Sequence, residues 1–171
     1  MRLGSYVASA VSELNQKNIF AGKTNIQKLV YFALPDKLRK QFFQPYYYGP
    51  YSAEVQQAVS ALLKKEVPRK VDIGFSLTRD LDLEADSVID RFQRTADFIS
   101  RIGLSATDDI AMLAKIHLLS HTEREEAKQN PVEYIQCQAR FLGWKDLSKE
   151  DPDKIQNYLQ LANNLDNTLE S

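Results

Sequence analysis

Between two stretches of helical periodicity the chain carries Phe42-Phe43-Gln44-Pro45-Tyr46-Tyr47-Tyr48-Gly49-Pro50, and no regular helix passes through such a run. Proline has no amide to give to a helical ladder, glycine favours reversal, and aromatic residues suit extended backbone. The run predicts a short strand that ends in a sharp turn at Gly49-Pro50. Alternation puts Tyr46 and Tyr48 on one face and Tyr47 on the other, so at least one phenol ring is expected to meet solvent.

The elements around this breakpoint follow from spacing. Leu3, Val7, Ala10, Val11 and Leu14 mark the apolar face of a helix over Ser5 to Lys17. Thr24-Asn25-Ile26-Gln27 has the form of a capping box, opening a second helix with Ile26, Leu29, Val30 and Ala33 inward and Pro35 beyond its end. Asp36 to Gln41 reads as a short turn. A third helix opens at Pro50 or Ser52 and buries Val55, Val59, Leu62 and Leu63. Val71, Ile73, Phe75 and Leu77 then alternate with polar residues, predicting a half-buried strand whose hairpin tip is Pro68-Arg69-Lys70. From Leu81 onward every periodic segment is helical. Ile110 to Leu119 is apolar on nearly all sides, which predicts a central helix.

The fold class expected is mainly α (α+β), with a winged-helix-like unit at 1–80 packed on a helical extension at 81–171, the whole forming one domain. The 171 residues suit a single domain, with 43% hydrophobic and 26% charged residues and no low-complexity stretch. No run approaches the ~20 apolar residues that cross a bilayer, so a cytoplasmic protein with no membrane partner is expected. Cys137 is the only cysteine, which excludes an internal disulfide and fits a reducing compartment. Net charge is -1, yet residues 1–80 carry 12 Lys/Arg against 6 Asp/Glu and residues 81–171 carry 10 against 17. Such an asymmetry either sets a basic face towards a partner or is neutralised when the halves pack together.

Three segments carry a resemblance. Lys23-Thr24-Asn25-Ile26-Gln27-Lys28-Leu29-Val30-Tyr31-Phe32, then Tyr48-Gly49-Pro50-Tyr51-Ser52-Ala53-Glu54-Val55, then Phe75-Ser76-Leu77-Thr78, resemble the YwgA-like proteins and the related Panacea, or SocA-like antitoxin, group. Leu113-Ala114-Lys115-Ile116-His117 and Phe141-Leu142-Gly143-Trp144-Lys145 resemble its later helical part loosely. The resemblance implies a non-enzymatic regulatory domain that binds a partner protein, in antitoxin members a toxin. Tyr47-Tyr48 stand where those antitoxins often carry a tryptophan and a basic residue.

Two site readings follow. Gln27, Lys28 and Tyr31 lie off the apolar stripe of their helix and, with Tyr48, Gly49, Pro50 and Tyr51, would form a partner-binding surface; otherwise Lys28 lies over the tyrosines and the Gly-Pro turn only fixes the fold. Gln56, Gln57, Ser60 and Lys64 are residue types that read base edges or hold phosphates, and Arg39, Lys40, Lys65, Arg69 and Lys70 would contact the nucleic-acid backbone. Otherwise these side chains form a solvated face. The second reading is a winged-helix DNA-binding regulator, acting as a homodimer because one module of this size makes a small interface.

Catalytic chemistry has no motif to rest on. His117 and His121 have metal-ligand spacing without the glutamate of an HExxH sequence, so a packed His117 and a helix-terminal His121 are expected. Asp108-Asp109 suits the first turn of a helix, and Cys137 a core thiol. No phosphate loop, dinucleotide fingerprint or G-x-S-x-G motif occurs. No metal and no cofactor is expected.

Overall fold

The computed structural model describes residues 3–64 and 83–170. The chain runs α1 (Leu3–Gln16), α2 (Lys23–Ala33), α3 (Asp36–Phe42), β1 (Gln44–Tyr46), β2 (Gly49–Tyr51), α4 (Ala53–Lys64), α5 (Leu83–Arg101), α6 (Thr107–Ser120), α7 (Glu125–Gln129), α8 (Pro131–Phe141), α9 (Lys145–Ser148) and α10 (Pro152–Glu170). Among the described residues the protein is mainly helical, as the periodicity predicts, with one small antiparallel hairpin. The strand expected at Val71–Thr78, its tip at Pro68-Arg69-Lys70, and Lys65 lie outside the described residues, as does the side chain of Lys64.

α2 is the hub. It packs against α1 and α4 and also against α5 and α6, while α10 closes over α5 and α6. Every residue from Asn25 to Ala33 is buried in consequence. A helix enclosed on all sides must bury its polar positions too, and the expected apolar stripe is therefore only part of its interior face. α6 is central as expected, buried from Ile110 to His117. One hydrophobic cluster links Val7 and Leu14 of α1 through Leu29 and Phe32 to Phe92, Ile116 and Leu165.

The structure changes several expected helix starts. α2 begins at Lys23 with Gly22 at its N-cap and no side-chain cap; the Thr24 box does not form because Gln27 is engaged elsewhere. Further on, Thr122-Glu123-Arg124-Glu125 has the sequence of a capping box, yet Thr122 accepts from the Arg124 amide and α7 begins at Glu125. Pro131 takes the first position of α8, where its missing amide costs no helical bond. Asp151, overlooked in the sequence, caps α10 by accepting from the amides of Asp153 and Lys154 at 2.9 and 3.3 Å.

The aromatic run folds more tightly than expected. Phe42 still belongs to α3, the strand is Gln44–Tyr46, Tyr47-Tyr48 make the turn, and Gly49–Tyr51 return as a second strand instead of opening a helix. Pro45 stands opposite Pro50. Neither proline has an amide, so the ladder bonds fall to the flanking pairs Gln44 with Tyr51 and Tyr46 with Gly49. Of the two expected starts for α4, Ser52 is the one used: its hydroxyl accepts from the Val55 amide at 3.2 Å.

Candidate functional site: a clamped tyrosine hairpin and a buried histidine cluster

Three side chains from distant elements hold the hairpin. The Gln27 amide group pairs with the backbone of Ser52 in both directions, donating to its carbonyl at 2.9 Å and accepting from its amide at 3.1 Å. Lys28 Nζ donates to the Pro50 carbonyl at 2.7 Å. On the other strand Trp144 Nε1 donates to the Tyr46 carbonyl at 2.7 Å. Trp144 is placed by the end of α8, where Gly143 takes φ +72 and the amides of Gly143 and Trp144 bond back to Arg140 and Ala139. A left-handed residue after the last turn is a common way to end a helix and turn the next side chain inward.

Gly49 fits because nothing larger does. Its φ is +99, and a Cβ there would lie 3.1 Å from Lys115 Cγ and 3.5 Å from Lys28 Cε. Lys115 pairs with Asp146 and sits 5.5 Å from the centre of the Trp144 ring. Burial, with Lys115 adding repulsion, pushes the Lys28 amine down to about 7.

What the clamp leaves outside is the tip. Tyr46, Tyr47 and Tyr48 are 50%, 75% and 66% exposed, and Phe141 and Leu142 at the end of α8 are exposed as well. Pro45, Tyr46, Tyr47, Leu142 and Trp144 line a groove of ≈ 260 Å³, which holds a side chain or two and falls below the ~300–1,000 Å³ of typical small-molecule sites.

A second polar cluster lies inside, where α2, α3, α6 and α10 meet. Tyr31 Oη is 2.8 Å from His117 Nδ1, and Arg39 Nη1 is 2.8 Å from His117 Nε2. Asp166 Oδ1 lies 3.0 Å from His117 Nε2 and Asp166 Oδ2 lies 2.9 Å from His121 Nε2. Arg39 also pairs with Asp166 at 3.3 Å and donates from Nε to the Leu34 carbonyl at 2.8 Å. Burial pushes His117 down to about 4, which leaves it neutral. Burial opposes charge on His121 and Asp166 too, but the hydrogen bond to Asp166 raises His121, and hydrogen bonds with His117 and His121 hold Asp166 well below the usual carboxylate range.

These positions correct the sequence readings. Gln27, Lys28 and Tyr31 are each 2% exposed, and Gly49 and Pro50 are buried, so these five form the clamp and core instead of a surface. Tyr51 is half-buried, and Tyr48 alone of that group is exposed. Arg39 is buried in the histidine cluster and unavailable to a phosphate. Lys40 is exposed but paired with Asp36 at 2.8 Å. On α4, Gln57 is exposed while Gln56 and Ser60 are half-buried and bond to each other at 3.3 Å. Cys137 is exposed, since it falls on the outer side of α8 from Ile135 and Ala139. His117 is packed and His121 ends α6, as expected; that Asp166 and Arg39 join them is not legible in the sequence, because pairs 127 residues apart leave no local pattern. Asp108 and Asp109 occupy the first turn of α6, Asp109 accepting from Tyr158 at 3.2 Å. Among the described residues no helix is long and apolar enough to cross a membrane. Comparison with protein-family models, with curated proteins and with solved structures finds no match to this chain.

Proposed function

We propose that the protein is a non-enzymatic regulatory domain of the antitoxin-like type, related to the YwgA-like and Panacea group, that binds a partner protein through the tyrosine hairpin. The observation that carries this reading is the contrast between the base of the hairpin and its tip. Three buried side chains hold the base by hydrogen bonds, yet the tip presents three consecutive tyrosines to solvent. Tyrosine gives a large contact area at small entropic cost and a hydroxyl for directed bonding, which is why it anchors protein interfaces. A rigid base removes the ordering cost that a mobile loop would carry into binding. Pro45 and Pro50 withhold the amides that an added strand would need, so the partner packs against rings, not backbone. The groove beside Leu142 takes one anchoring side chain of that partner.

The test is affinity capture from the native host with the wild-type chain and with Tyr47→Ser/Tyr48→Ser. The wild type recovers a stoichiometric protein and the variant does not. Recovery of the same protein by both, or a shift of DNA from the chain's own upstream region in place of any protein, would overturn the proposal.

A further inference from the structure

His117 and His121 stand one turn apart at the end of α6, their rings stacked with 4.0 Å between centroids and 16° between planes. Both Nε2 atoms approach the Asp166 carboxylate of α10, at 3.0 and 2.9 Å. The hydrogen-bond partners fix one ring proton and leave two arrangements for the other. His121 Nδ1 is 2.8 Å from the His117 carbonyl oxygen, which can only accept, so this nitrogen carries a hydrogen. With its lone pair on Nε2, neutral His117 accepts from Arg39 Nη1 and turns Nδ1–H towards Tyr31 Oη; the other tautomer donates from Nε2 to Asp166 Oδ1 at 3.0 Å. In the first of these tautomers, with His121 Nε2 also free of its proton, two imidazole lone pairs and two carboxylate oxygens converge on one region, and such a set needs positive charge among them. The Arg39 guanidinium and a proton on His121 supply it in the folded chain.

We propose that this cluster is a binding site for a divalent transition-metal ion of the borderline class, zinc above all, held by His117 Nε2, His121 Nε2 and a carboxylate oxygen of Asp166, with water in the fourth position. Two imidazoles and one carboxylate are a zinc donor set. In the tautomer that leaves both Nε2 atoms free to ligate, each ring gives its far N–H to an oxygen, the arrangement that orients metal-bound histidines. The three ligand atoms, one from each residue, lie within 4.8 Å of one another, and small side-chain shifts bring them to the ~3.4 Å edges of a tetrahedron with ~2.05 Å bonds. His121 and Asp166 are 30% and 16% exposed while His117 is 0%, so an ion reaches the cluster from the His121 side.

Binding exchanges charge in a defined way. The ion displaces the His121 proton to solvent and Arg39 Nη1 from His117 Nε2. Arg39 keeps its bond to the Leu34 carbonyl and its pairing with Asp166 Oδ1, and becomes the outer partner of the ligating carboxylate. Its charge opposes the ion, so affinity falls in the micromolar range, short of a closed cysteine site.

The experiment is calorimetric titration of zinc into the EDTA-treated full chain, with cobalt absorption as a second readout. One ion binds per chain, about one proton is released, and affinity drops ~10-fold or more as the pH is lowered and protons compete for the imidazoles. Cobalt gives d–d bands without thiolate charge transfer. His121→Ala, at the most exposed ligand, weakens binding ~10-fold or more, whereas Cys137→Ser leaves it unchanged and removes any contribution from the exposed thiol. If His121→Ala does not fold, the cobalt spectrum of the wild type decides the ligand type. No binding at submillimolar zinc, binding unaltered in folded His121→Ala, or binding lost in Cys137→Ser would each overturn the site.

Discussion

At the residue scale the decisive positions are polar and buried, and spacing alone could not find them. The apolar members of α2 were legible because Ile26, Leu29, Val30 and Ala33 recur with helical period. Gln27, Lys28 and Tyr31 look like an outward face for the same reason, and they are buried because α4, the hairpin and α6 supply partners far away in sequence. Lys28 yields a pH prediction. With its amine pushed down to about 7 from the usual value of 10.5, the unfolded chain binds more protons than the folded one between those limits. Stability should therefore rise with pH across that window, by at most about 1.4 kcal/mol per pH unit; below it the cost of burying the charged amine is fully present and adds no further pH dependence. Urea midpoints followed from neutrality upward should show this rise, and Lys28→Met should flatten it; parallel profiles would mean the buried amine is not the cause. Gly49→Ala should cost about 1–3 kcal/mol through its φ of +99 and the nearby Lys115 stem. An unchanged denaturation midpoint in that variant would count against the clamp as drawn.

At the element scale the hairpin is where sequence and structure diverge most. The strand, the reversal and one exposed ring were all readable from Pro45 to Pro50. The second strand was not, since Gly49-Pro50 also reads as a helix start and only register across the turn decides between them. Trp144 could not be assigned to the hairpin either, because 98 residues separate it from Tyr46. Trp144→Phe keeps most of the ring and deletes the Nε1 donor, which should lower stability by about 1 kcal/mol. The loss should concentrate in the hairpin: amide exchange at Gly49 and Tyr51 should speed up more than in α6. Uniform acceleration would mean that Trp144 serves the core as a whole and not this strand.

Over the whole molecule the charge asymmetry between the halves finds a structural use. Arg39 and Lys17 in the basic half pair with Asp166 and Asp97 in the acidic half, so part of the imbalance is resolved by packing instead of being displayed to a partner. The same interleaving makes 1–80 and 81–171 parts of one core in the described residues, since α2 of the first lies between α5 and α6 of the second and its own neighbours α1 and α4. Thermal unfolding followed by far-ultraviolet dichroism and by Trp144 fluorescence should give coincident single transitions. Leu29→Ala, at 1% exposure in α2, should lower both together by about 2–5 kcal/mol. Separated transitions would show the halves to be independent units.

The claim on which the functional account turns is that Tyr47 and Tyr48 contact the partner while the base of the hairpin only holds them. Titrating the captured partner into the wild type and into Tyr47→Ser/Tyr48→Ser by calorimetry measures this directly. Because both rings are exposed, the variant should unfold at the same temperature as the wild type, and its affinity should fall ~100-fold or more, as expected for two aromatic anchors. Equal affinities for two equally stable proteins would contradict the account and move the partner's site elsewhere on the chain.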